Sequence, residues 1–90
     1  MHDTLYSQEP TKQLSVILDN LGNACADLQE LSEAKKYLER ALVTARSLFG
    51  PSDANVGIIL GNLGNVYADM QDHATARASL EQALSLKEQV

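Results

Sequence analysis

From Leu14 onward the apolar residues of this chain recur at steps of four, three, four and three: Leu14, Leu18, Leu21, Cys25 and Leu28. The same spacing returns at Val56, Leu60, Leu63, Tyr67 and Met70. A second stripe runs through Leu31, Ala34, Leu38, Ala41, Leu42, Ala45 and Leu48, answered more weakly by His73, Ala76, Leu80, Ala83, Leu84, Lys87 and Val90. Steps of three and four keep side chains on one side of a 3.6-residue helix, so the pattern predicts four amphipathic helices. The breaks between them agree. Pro10 excludes the helical region from the residue before it, and Thr11 can cap a helix that starts there. Gln29-Glu30 and Gln71-Asp72 make tight joints. At Phe49-Gly50-Pro51-Ser52-Asp53, Gly50 can take the left-handed terminal conformation, Pro51 cannot continue a helix, Ser52 can cap the next one, and Asp53 suits its first turn. The expected helices cover about 11–28, 31–48, 53–70 and 73–89, an all-α chain.

The chain also repeats itself. LDNLGNACA at 18–26 returns 42 residues later as LGNLGNVYA at 60–68, and aligning 18–48 on 60–90 gives 13 identities. Self-similarity at a fixed period of this size marks stacked helix-turn-helix repeats. The fixed positions read Leu18-x2-Leu21-Gly22-x2-Cys25 with Ala34-x3-Leu38, then Leu60-x2-Leu63-Gly64-x2-Tyr67 with Ala76-x3-Leu80. Over about 75 of the 90 residues this resembles the tetratricopeptide repeat, whose pattern is W-x2-L-G-x2-Y followed by A-x3-F. Leu stands for the aromatic at the first and last of these positions, Cys25 for Tyr, and the period is 42 where the family's is about 34. The longer period and the LFGPSDANV joint look like the kinesin-light-chain and nephrocystin branch. The resemblance implies two tandem repeats, 11–49 and 50–90, in a short right-handed α-solenoid, with 1–10 a tail or the remnant of a preceding helix. In that case Leu5-Tyr6 answers Leu48-Phe49, and the chain is an excerpt of a longer array.

Composition narrows the functional classes. A net charge of −5 disfavours a nucleic-acid backbone or an anionic membrane surface, which call for a basic face. The single cysteine, Cys25, rules out an internal disulfide and a cysteine-based zinc site, and its place on the apolar stripe makes it a packing residue. His2 and His73 have no second ligand at metal-binding spacing. No apolar run nears the ~18 residues of a membrane span, and no basic-then-apolar leader is present, so a cytoplasmic setting is expected by default. GNLGN lies inside a helix pattern, not in the strand-to-helix turn a phosphate loop needs. No nucleophile, base or metal cluster converges, so neither an enzyme nor a cofactor is expected.

What remains is a repeated polar stripe. Asn20, Asn23 and Asp27 step i, i+3, i+7 along the first helix, and Asn62, Asn65 and Asp69 do the same along the third. Asn is a mediocre helix former, so four of them at matching helix-interior positions call for a reason. One reason is hydrogen bonding between neighbouring repeats. The other comes from the resemblance: in tetratricopeptide repeats the first helix of each pair lines a concave groove, and Asn beside the Leu-Gly pair grips a ligand peptide's backbone. The resemblance therefore makes these six residues the candidate peptide-binding set. The cationic half of the family's carboxylate clamp is missing, because Asp19 and Gly61 occupy the positions four before Asn23 and Asn65. A neutral or basic protein segment is the expected partner. The expected function is a non-catalytic protein-interaction scaffold; the alternative is a self-assembly segment of a longer repeat array with no groove ligand. Two repeats without a capping helix leave apolar surface uncovered, from which a homodimer is expected, by stacking of terminal helices or by exchange of a helix pair.

Overall fold

The computed structural model describes residues 11–88. The reading of Leu5-Tyr6 as a helix remnant, and Val90 at the end of the fourth stripe, lie outside them. The described residues form four helices, α1 (Lys12–Asp27), α2 (Leu31–Phe49), α3 (Ala54–Asp69) and α4 (His73–Lys87). α1 lies along α2, α3 along α4, and α2 along α3, whereas α1 meets α3 only at a narrow seam. The result is two helix hairpins stacked in sequence, and its smallest dimension is 16 Å. Since a helix with side chains is about 10–12 Å across, that thickness is two overlapping layers.

Local chemistry places the helix ends. Thr11 is extended and its hydroxyl accepts from the Leu14 amide at 3.0 Å, satisfying one of the donors that a helix start leaves unpaired. Asp72 caps α4 by accepting from Thr75 N at 3.3 Å. At the start of α3 the cap is Asp53, not Ser52: Asp53 is extended (φ −74°, ψ 150°) and its Oδ1 accepts from Asn55 N at 2.8 Å. Gly50 has the expected positive φ of 88°, but its ψ of 163° lies outside the left-handed helical region, in a conformation open essentially to glycine alone. The two short turns close identically. Gln29 N bonds to Ala26 O at 3.0 Å and Glu30 N to Cys25 O at 2.8 Å; Gln71 N bonds to Ala68 O at 3.0 Å and Asp72 N to Tyr67 O at 2.9 Å. This is the Schellman pattern, with a glutamine at φ 64° and 69° where glycine is usual.

The hairpins close over small residues. Ala34, Leu38, Ala41 and Ala45 of α2 are fully buried, with Leu18 of α1 and Val56, Ile59, Leu60, Leu63 and Val66 of α3 around them. A methyl built on Gly22 would stand 2.5 Å from Leu38 Cγ, and one on Gly64 2.6 Å from Leu80 Cγ. The recurring glycine therefore admits a leucine from the partner helix onto the helix backbone, in both hairpins.

The apolar stripes are not covered equally. Of the five residues of the first stripe only Leu18 is fully buried, and Leu21 in α1 and Leu28 just past its end are exposed; in α3 Val56, Leu60 and Leu63 are all buried. The difference has a simple cause: α3 lies between α2 and α4, whereas α1 has one full neighbour among the described residues. The outer helix α4 shows the same end effect, its Leu80 being 41% exposed where the equivalent Leu38 is 0%.

Candidate functional site

α1 and α3 approach each other only along their seam, and the space beside it is a groove of about 350 Å³ lined by Asn23, Asp27, Asn62, Asn65 and Asp69, with Ala26, Gln29 and Val66. Five of the six stripe residues are thus brought together from two helices. Asn20 is exposed and does not line the groove. Val66 supplies a buried apolar floor, Asn23 and Asn62 are half-buried, and Asn65, Asp27 and Asp69 stand in solvent. Two carboxylates and no ammonium or guanidinium are among the lining groups, so the groove carries negative charge.

One of the asparagines already has a partner. Asn62 Nδ2 donates to Asp19 Oδ1 at 3.0 Å, a partly buried bond that ties α3 to α1. Asp19, which the sequence offers as a groove charge, is thereby part of the joint between hairpins. Asn23 and Asn65 line the groove and make no side-chain hydrogen bond among the described residues.

A second polar joint was not singled out from the sequence. Tyr67 donates its hydroxyl to Glu39 Oε2 at 2.9 Å across α2 and α3, and Lys35 Nζ lies 5.7 Å from the centre of the Tyr67 ring. Partial burial, then the bond to Glu39 and its charge, push the Tyr67 hydroxyl up to about 12. The only legible signal was the mismatch between copies, Tyr67 against Cys25. Cys25 packs against the core, and burial followed by the charges of Glu30 and Glu33 holds its thiol above the ordinary value. The reactive thiolate form is therefore disfavoured.

A larger hollow, about 520 Å³, lies elsewhere, along the side of α2 bearing Lys36, Arg40, Val43 and Thr44, and includes Leu14. It is shallow and collects none of the six Asn and Asp residues of the polar stripe. Among the described residues no three of His, Cys, Asp and Glu are placed to hold a metal ion. No helix among them is long and apolar enough to cross a membrane.

The fold and the groove define a class: tandem helix hairpins that present one helix of each pair to a shared surface. The tetratricopeptide repeat family model matches residues 13–89, and the chain belongs to that family. The 42-residue period of the longer-repeat branch is compatible with this match. Comparison with curated proteins and with solved structures returned no match. Membership makes the chain a protein-interaction scaffold of a family whose repeats are generally non-catalytic.

Proposed function

We propose that the groove between α1 and α3 holds an extended, neutral to basic segment of a partner protein. The observation that supports this most is the convergence of Asn23, Asp27, Asn62, Asn65 and Asp69 on one groove with no cation in its lining. An asparagine amide offers two donors and an acceptor, so Asn23 and Asn65 can pair with a peptide group whatever side chain it carries. Such contacts supply affinity with little sequence choice. Choice comes from charge: Asp27 and Asp69 attract lysine or arginine on the ligand and repel acidic tails. Asn62 contributes mainly by holding the two hairpins in register through Asp19, and its carbonyl remains for the ligand. The groove needs no chemistry beyond this, and no cofactor.

The test is selection from a phage-displayed library of random peptides against the 90-residue chain. The selected peptides should carry net positive charge, and on titration they should move the amide resonances of Asn23, Asp27, Asn65 and Asp69. Enriched peptides that are acidic, or that shift only residues around Lys36 and Val43, would overturn the proposal.

A further inference from the structure

The two outer helices carry the unused halves of a junction that the molecule already makes once. Inside the chain, α2 covers α3. At that junction Ile59 and Leu63 are 3% and 2% exposed, and Val66 is buried with them. α1 is the copy of α3, and its residues 42 positions earlier, Ile17, Leu21 and Ala24, form the same ridge. Ile17 is 54% exposed and Leu21 is 41% exposed, and no helix among the described residues lies over them. α4 is the copy of α2. The face with which α2 meets α3 includes Lys35 and Glu39, which engage Tyr67, and Leu42, which packs against the core. The corresponding residues of α4 are Arg77, Glu81 and Leu84, all exposed, with Leu84 at 57%. A cation, a carboxylate and a leucine thus recur at the same spacing on the side of α4 that meets no other described helix, with Arg77 Nε donating to Glu81 Oε2 at 3.0 Å.

We infer that a second copy of the chain docks head to tail, seating its α4 on α1 in the geometry by which α2 seats on α3. The occupant is argued from complementarity on one molecule: each open face matches, by the 42-residue correspondence, the partner of the other across an interface that the fold already contains. The contact differs from the internal one in two places, and both weaken it. Cys25 stands where Tyr67 supplies the hydroxyl for Glu39, so Glu81 and Arg77 of the incoming helix meet no ring. Lys87 stands where α2 has the buried Ala45, and its ammonium must reach the rim of the contact. A head-to-tail contact that repeats the internal step leaves one open face at each end of the dimer, so association continues past the dimer as concentration rises. This surface is separate from the groove and stands or falls without it.

Sedimentation equilibrium of the full chain from about 10 µM to about 1 mM tests the inference, a range suited to a weak contact. The weight-average mass should rise above the monomer and go on rising past the dimer. Ile17→Glu/Leu21→Glu and Leu84→Glu, each at exposed positions that the fold does not need, should be monomeric alone. Mixed in equal amounts they should form a dimer and stop there, since each keeps the face that the other lacks. Cys25→Tyr, which restores a ring opposite Arg77 and Glu81, should tighten association about threefold to tenfold, the worth of one hydrogen bond. This variant tests the contact even where an acidic variant proves unfolded by circular dichroism. A monomeric wild type across the range overturns the inference. So does a Leu84→Glu chain that still dimerises, which would mean α1 pairing with α1 about a two-fold axis. A Cys25→Tyr chain that associates no better than wild type would overturn the proposed register.

Discussion

Alanine at the helix glycines sets two opposing effects against each other, and the structure says which wins at each site. Any glycine inside a helix costs about 1 kcal/mol relative to alanine, so each substitution starts with that gain. At Gly61 a new methyl meets nothing within 4 Å. Gly61→Ala should therefore keep the whole gain and raise the melting temperature by about 4–8 °C in a domain of this size. At Gly22 the methyl would lie 2.5 Å from Leu38 Cγ, 2.7 Å from its Cδ2 and 3.3 Å from the Ala34 carbonyl oxygen. Carbon atoms prefer about 3.5–4.0 Å, and Leu38, with no exposed surface, has nowhere to go. Overpacking a closed site costs about 1–3 kcal/mol, and an overlap of this depth belongs at the upper end. The net effect of Gly22→Ala should be a loss of about 2 kcal/mol, or a melting temperature lower by about 8–16 °C. At Gly64 the overlap with Leu80 Cγ is similar, 2.6 Å, but Leu80 is 41% exposed and can swing outward. Its loss should be about 1 kcal/mol or less. Thermal and urea unfolding followed by circular dichroism would rank the three. A Gly22→Ala chain that melts as high as Gly61→Ala would refute the close-approach account of the repeated glycine.

Two further substitutions probe the joints. Tyr67 has a raised hydroxyl pKa, about 12 against 10 in the unfolded chain, so its protonated form contributes stability that is complete below pH 10 and lost as pH rises from 10 to 12. Discounted for the solvent around this partly exposed ring, that contribution is about 1 kcal/mol, and Tyr67→Phe should remove this part of the alkaline loss in a pH series of urea melts. Gln29→Gly relieves a left-handed residue that costs about 1–2 kcal/mol, set against the roughly 0.5–1 kcal/mol entropy penalty of glycine, so the melting temperature should rise by a few degrees; a fall would mean that the exposed Gln29 Nε2 bond to Ala26 O, 3.3 Å, matters more than the strain.

The four helices were legible because apolar spacing, Thr11, Pro51 and the repeated glycine all point the same way, and the 42-residue echo placed each helix relative to its copy. Helix caps were less so. Ser52 and Asp53 are both good caps, and only the backbone, extended at Asp53, selects between them. Burial along α1 could not be read from the stripe, because periodicity says which side of a helix is apolar and not whether a neighbour lies over it; Leu21 and Leu63 are the same residue in the two copies, yet only Leu63 is buried. The groove set was legible as a stripe, since i, i+3 and i+7 share a face. Asn20 falls outside it because it sits one and a half to two turns before Ala26 and Asp27, where the groove does not reach. The bond between Asp19 and Asn62 could not be read from spacing, since it joins two helices whose separation depends on how the hairpins stack.

The central claim is that the asparagine amides of the groove hold a ligand backbone, and Asn23→Ala/Asn65→Ala tests it most directly. Isothermal titration of the best library-selected peptide into this variant and into the wild type gives the difference, with melting curves as the control for folding. Left without partners, the peptide groups should lower affinity by about 1–3 kcal/mol, roughly 5- to 150-fold, while the melting temperature stays or rises because alanine is the better helix former. An affinity within twofold of wild type, in a variant that folds as well, would contradict the claim and leave the asparagines as residues of the repeat joint alone.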